Sequence, residues 1–230
     1  SRPDALYGLG WTLHLAGEVD LARQAFERCV EDNPDSPLGY KGLGSVAMAA
    51  GNPAVARRRF EEALERAPGD VSIRQSIGLL DLTTGRADEA ATTFAALIRE
   101  GPDRAELHQA LAEARLAQGR GSDALGEADR AVAMAAGEPR VVATSSMTRA
   151  RALLAESAGR VDPEDCALTA PPVYAWLEEA DRALDVAEAS GVTIGDLPAL
   201  RRSVRQRRGV TDDLCPGVRA SSVGKEFPDG

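Results

Sequence analysis

Leu9–Gly17 reads LGWTLHLAG, and Leu43–Gly51, 34 residues later, reads LGSVAMAAG. The ends agree and the middles do not. The ends recur as Ile77-Gly78 with Gly85, and again as Leu111-Ala112 with Gly119. A glycine at the close of each stretch tolerates the left-handed backbone that stops a helix. Each stretch therefore reads as the second half of one helix. A fixed return at this period marks an array of small helical units, none of which can bury its own apolar face alone.

Working outward, each stretch is followed by a second motif. Ala22-x3-Phe26 and Pro34 follow the first, Ala56-x3-Phe60 and Pro68 the second, and Ala90-x3-Phe94 and Pro102 the third. The fourth has Ala124-x3-Ala128, and Ala136 where the others have proline. Gly10, Gly44, Gly78 and Ala112 are small, as are the four alanines. Small residues at such points let antiparallel helices approach closely, and phenylalanine plugs the gap between them. Ser36-Pro37 and Asn52-Pro53 each read as an N-cap with proline at the first helical position, and Asp70 reads as a further cap.

Over residues 3–138 this pattern resembles the tetratricopeptide repeat family. The resemblance implies an all-α, right-handed superhelix of antiparallel helix pairs, with units at 3–36, 37–70, 71–104 and 105–138. After Glu138 the register drifts. Residues 139–190 read as a degenerate fifth pair: a helix from Pro139 to Ala158, an inserted loop at 159–172, and a second helix from about Val173 to Ser190. EADRA at Glu179 echoes the same five residues at Glu127. Residues 191–209 read as a capping helix, capped by Asp196 and stopped by Gly209. Residues 210–230 read as an irregular tail with Val210, Leu214, Val218, Val223 and Phe227 as apolar anchors. If ordered, that tail is expected to dock on protein surface, with the region of Trp11 and Met48 as one candidate.

In the family, the first helix of each unit lines a concave wall that binds an extended or helical peptide. Helical spacing puts Tyr7, Trp11 and His14 on one face of the first helix. The matching residues are Lys41, Ser45 and Met48, then Gln75, Leu79 and Leu82, then Gln109 and Glu113. This accounts for the unequal middles: residues that face neighbouring helices stay alike, and residues that face a ligand need not. The resemblance implies a protein–protein interaction scaffold that binds a protein or peptide. The alternative is a structural subunit of a larger assembly, with surface and tail as contacts and self-association among its uses. Some members hold a C-terminal carboxylate with a set of Lys, Asn and Arg. Here Tyr7, Trp11 and Ser72 stand on that wall, so this activity is not carried over.

Composition narrows the classes further. With 36 acidic and 27 basic residues, the net charge of −9 repels a phosphate backbone and argues against nucleic acid. Only Lys41 and Lys225 are lysine, which reads as the mark of a GC-rich bacterial genome. No apolar run is long enough to span a membrane, and no signal segment opens the chain. The chain starts without methionine just before a helical pattern, which suggests removed upstream sequence.

Nothing points to an enzyme, a cofactor or a metal. His14 and His108 fall on different units, and no nucleophile or phosphate-loop motif occurs. Asp162, Glu164 and Asp165 lack the spacing of a calcium loop. Arg201, Arg202, Arg205, Arg207 and Arg208 suit either an acidic partner or the dipole of their own helix. Cys29 reads as a buried small hydrophobe. Cys166 and Cys215 read in two ways. One is a pair of thiols in a reducing cytoplasm, towards which the composition leans. The other is a bridge that pins loop to tail in an oxidising compartment.

Overall fold

The computed structural model describes residues 3–135, 138–158, 160–193, 195–216 and 218, which form eleven α-helices and no strand. The chain divides into two compact units, Ser1–Glu100 and Gly101–Gly230.

The first unit holds α1 (Pro3–Leu15), α2 (Val19–Asp32), α3 (Pro37–Ala49), α4 (Pro53–Arg66), α5 (Val71–Thr83) and α6 (Ala87–Glu100). They pack as the pairs α1/α2, α3/α4 and α5/α6, with α2 against α3 and α4 against α5. Turn chemistry sets these lengths. At Gly51 φ is 73°, its N–H donates to Met48, and the Asn52 N–H donates to Ala47, so the chain reverses within two residues. Gly17, Gly85 and Gly119 repeat the positive φ. The Ser36 side chain accepts from the Leu38 N–H, and Asp70 accepts from the N–H groups of Ser72 (2.8 Å) and Ile73 (3.1 Å). Asn52 takes the N-cap position without a side-chain cap bond, and Pro53 supplies the preset φ.

Phe26, Phe60 and Phe94 are fully buried. A Cβ on Gly10 would lie 2.6 Å from Phe26, one on Gly44 2.5 Å from Phe60, and one on Gly78 2.9 Å from Phe94. Each glycine is therefore a seat for a ring. Gly42 would meet the Phe26 ring as well, so that ring joins α1, α2 and α3. Burying one such side chain contributes about 1.5–3 kcal/mol.

The second unit holds α7 (Ala105–Ala117), α8 (Gly121–Met134), α9 (Pro139–Glu156), α10 (Cys166–Ala189) and α11 (Leu197–Leu214). Ala112 and Ala128 are fully buried, so small residues alone fill the slots that carry a glycine and a ring earlier. The main core joins Met147, Leu153, Val173, Leu177, Leu184 and Val204 from α9, α10 and α11.

Two boundaries differ from the sequence reading. The segment 159–172 is not all loop: α10 starts at Cys166 and contains Pro171 and Pro172. Each proline removes an N–H and so leaves a carbonyl four residues back without a helical donor. Those carbonyls belong to Ala167 and Leu168, both exposed, where water can satisfy them. Gly209 does not stop the capping helix, which runs on to Leu214. A mid-helix glycine costs only about 1 kcal/mol. The next turn recovers that through buried Thr211, the Asp212 bond to Tyr174 and the cystine at Cys215. The expected tail therefore begins as helix: Val210 and Leu214 are exposed on α11, and Val218 packs near Tyr174. Val223, Phe227 and the expected docking near Trp11 and Met48 lie outside the described residues.

Candidate protein-binding face

The three ring-bearing residues of α1 form a row. Tyr7 and Trp11 stack with centroids 6.4 Å apart and planes 17° apart, and Trp11 meets His14 at 5.3 Å. Tyr7 also rests on Phe26 at 5.7 Å, so the ring that fixes the fold supports the row from beneath. Trp11 remains 38% exposed. The Nδ1 of His14 is buried and makes no hydrogen bond. The row offers flat apolar faces, an indole N–H and a phenol hydroxyl, which is the chemistry of a binding anchor.

The residues expected beside it are used by the fold to different degrees. Lys41 Nζ donates to the Ser72 hydroxyl at 2.8 Å, and that hydroxyl donates to Asp70 at 2.5 Å. This chain ties α3 to the start of α5. Burial pushes the Asp70 carboxyl up, but the bonds from Ser72 and Ile73, with Lys41 nearby, hold it below its ordinary value. Ser45 is buried and donates to the Lys41 carbonyl at 3.1 Å, so it offers no open surface. Met48 is half-buried against the Phe60 cluster. Gln75, Leu79 and Leu82 are half-buried on α5. In the second unit, Gln109 donates to Glu113 at 3.3 Å and lies 3.0 Å from the Thr144 hydroxyl of α9.

Sequence reasoning missed two charged constellations. Asp81 of α5 is buried, pairs with Arg57 of α4, and lies 2.7 Å from Arg86. Burial raises its carboxyl above the ordinary value, with Arg57 pulling the other way. Arg57 and Arg86 also line a cavity of about 540 Å³. The signal was a lone acid at a slot that holds Leu13, Ala47 and Arg115 elsewhere. His108 of α7 is buried, with Nδ1 2.6 Å from Glu127 of α8 and Nε2 2.6 Å from Asp103. Its slot holds Leu6, Tyr40 and Arg74 in earlier units, so the position carried no consistent polar signal.

Two of the five C-terminal arginines, Arg201 and Arg208, are engaged within the second unit. Arg201 pairs with Asp185 and Glu188, each at 2.7 Å, and Arg208 with Asp181 at 3.0 Å, tying α11 to α10. Cys166 and Cys215 are bridged, with α-carbons 5.5 Å apart, and Cys29 is buried outside that bridge. Burial and the hydrogen bond to Asp212 push the Tyr174 phenol up to about 12, so it stays protonated and donates at 2.6 Å. Among the described residues no cluster of His, Cys, Asp and Glu is placed to hold a metal, and no helix is long and apolar enough to cross a membrane.

Family models described as tetratricopeptide repeat match residues 4–36, 47–114 and 81–147. No curated protein sequence matches. Among solved structures, the chain is similar to PilF of Pseudomonas aeruginosa, with 16% identity and a TM-score of 0.67 over 94% of this chain and 93% of that one. It is also similar to PilW, described as a widely conserved type IV pilus biogenesis factor, with 13% identity and a TM-score of 0.68 over 97% and 98%. A thermophilic repeat protein of Thermus thermophilus shares 18% identity and a TM-score of 0.67 over 89% and 100%. At these identities the likeness is one of fold.

Proposed function

Because the chain belongs to the tetratricopeptide repeat family, whose members generally bind protein partners, we propose that it is an interaction scaffold. Its partner is a peptide or helix that docks on the first-helix face, with Tyr7, Trp11 and His14 as the anchor. The observation that carries this is the ring row on α1, in which half-buried Tyr7 and His14 flank an exposed Trp11 that stacks on Tyr7. Rigid aromatic side chains lose little entropy on binding and dominate many protein interfaces. Lys41, Met48, Gln75, Leu79 and Leu82 extend the face within the first unit, and Gln109 and Glu113 belong to α7 of the second.

The bridged cysteines support work in an oxidising compartment outside the cytoplasm. Thiol alkylation of the protein taken from its host, read by mass, tests this: only Cys29 should be modified, and only after unfolding.

Affinity capture in the native organism tests the scaffold. Wild-type protein and an Arg130→Ala control should retain a common partner that the Tyr7→Ala/Trp11→Ala variant loses. An identical captured set from all three refutes the anchor. Solution mass separates this reading from a structural, self-assembling subunit: a monomer is expected.

A further inference from the structure

Two cavities of the first unit occupy the same place in the repeat and differ in charge. The first, of about 310 Å³, is lined in part by Asp20, Arg23, Glu27 and Asn52. The second, of about 540 Å³, lies one period on. Arg57 and Glu61 stand there for Arg23 and Glu27, but Ala54 replaces Asp20 and Arg86 replaces Asn52. Arg58 joins the lining at a position that holds Gln24 a period earlier. At matched positions the second cavity thus has one acid fewer and two arginines more, on a chain whose net charge is −9.

In the first cavity Arg23 is neutralised on its own helix, by Asp20 at 2.9 Å and Glu27 at 3.7 Å. In the second, Arg57 of α4 and Arg86 of the α5–α6 turn converge on one carboxylate, that of Asp81, which is 3% accessible. The fold does not require an acid there, since Leu13 and Ala47 take the slot in units whose helix pairs form without one. Burying a carboxylate costs free energy. What it secures is placement: a buried anchor holds two guanidinium groups on the wall of one cavity. The Arg86 Nε remains buried without a hydrogen bond. Arg58 lies 3.9 Å from Glu62, which Arg59 already holds at 2.8 Å. The first turn of α4, at Pro53 and Ala54, completes the lining. It carries no acid and its N-cap Asn52 makes no side-chain bond, so the helix dipole adds to the pull on an external anion.

We propose that this cavity is a second binding site, and that it takes a carboxylate side chain from an acidic segment of a protein partner. The site presupposes the scaffold reading but not the ring row, which lies on α1. Three arginines face two carboxylates, Glu61 on the lining and Asp81 behind it, so one positive charge is left to be met. That matches the single charge of Asp or Glu better than the charge of about two on a phosphate group. Paired donors on arginine also suit a planar carboxylate. Two copies of a chain at net charge −9 repel each other, which disfavours a second copy as the occupant.

The probe is a short capped peptide with one glutamate among alanines, titrated into the whole chain and followed by amide chemical shifts. Saturable shifts are expected at Ala54, Arg57, Thr84 and Arg86, and none with glutamine in place of glutamate. A phosphoserine peptide of the same frame should bind more weakly; tighter binding overturns the carboxylate assignment. Arg86→Gln and Arg58→Gln should each weaken binding at least about tenfold, the effect of one charge-assisted hydrogen bond. Exposed Arg58→Gln should leave the melting temperature unchanged. Asp81→Asn should weaken binding too, although it removes a negative charge, because the arginines lose their anchor. Tighter binding there would mean undirected attraction and overturns the built site. Tyr7→Ala/Trp11→Ala should leave the shifts intact, so failure of the ring row and failure of this cavity read separately. Absence of saturable shifts overturns the site, as does equal affinity in Arg86→Gln. It is overturned too if shifts appear only once residues 219–230 are removed, or if the whole chain is a dimer that Arg86→Gln returns to monomer.

Discussion

The two compact units solve the same packing problem with different means. In the first, a glycine and a phenylalanine make each joint: Gly10 with Phe26, Gly44 with Phe60, Gly78 with Phe94. In the second, alanines occupy those slots, and stability comes from longer helices, the apolar core shared by α9, α10 and α11, and the Cys166–Cys215 bridge. A plug acts through shape and is all-or-none at its seat. A bridge acts through chain entropy and is spread over the loop it closes. The first unit can therefore vary its exposed positions freely, because its joints do not use them.

The sharpest way to break this contrast is to remove a plug. Phe60→Ala should cost roughly 3–5 kcal/mol, since its seat at Gly44 cannot be refilled by a neighbour. Urea unfolding reads the loss; a cost under about 1 kcal/mol would mean that the rings are not the joints.

Removing the bridge comes next. Cys166→Ser/Cys215→Ser closes no loop across the 49-residue separation, and should cost about 2–4 kcal/mol. Hydrogen exchange should quicken in α10 and α11 and stay unchanged in α1–α4. Equal quickening in both units would erase the distinction.

A smaller effect sharpens it through pH. The Asp70 carboxyl is held below its ordinary value in the fold. Its contribution is therefore present above the unfolded carboxylate value, near 4, and lost as pH falls through the lowered one. Asp81 has the opposite sign, because its carboxyl is raised: its contribution is present at low pH and lost as pH rises through the raised value. Asp70→Ala should cost about 1 kcal/mol at neutral pH, through loss of the helix cap, and less in acid. The same cost at pH 3 and pH 7 would contradict the assignment.

How much of this the sequence disclosed depends on the kind of contact. The pairs α1/α2 to α7/α8 follow from glycine, alanine and phenylalanine at fixed spacing, because a recurring joint needs recurring residues. The ring row on α1 was legible for a related reason: Tyr7, Trp11 and His14 share a helix face whatever surrounds them. The start of α10 and the end of α11 were not legible. Pro171-Pro172 and Gly209 are local stop signals, and tertiary contacts at Tyr174, Thr211 and Cys215 outweigh them. The burial of Ser45 and the engagement of Lys41 by Ser72 also escaped, since each depends on a partner in another part of the array.

The smallest expected effect on stability belongs to Trp11, an exposed residue whose truncation should shift unfolding by no more than about 0.5 kcal/mol. It is also where binding and folding should separate most cleanly. The decisive measurement is calorimetric titration of the captured partner into Trp11→Ala and wild type, with urea unfolding run on the same preparations. The account predicts binding weakened at least about thirtyfold, equivalent to roughly 2 kcal/mol at an aromatic anchor, with the unfolding midpoint unchanged. Unchanged affinity, or affinity lost together with the midpoint, would contradict it.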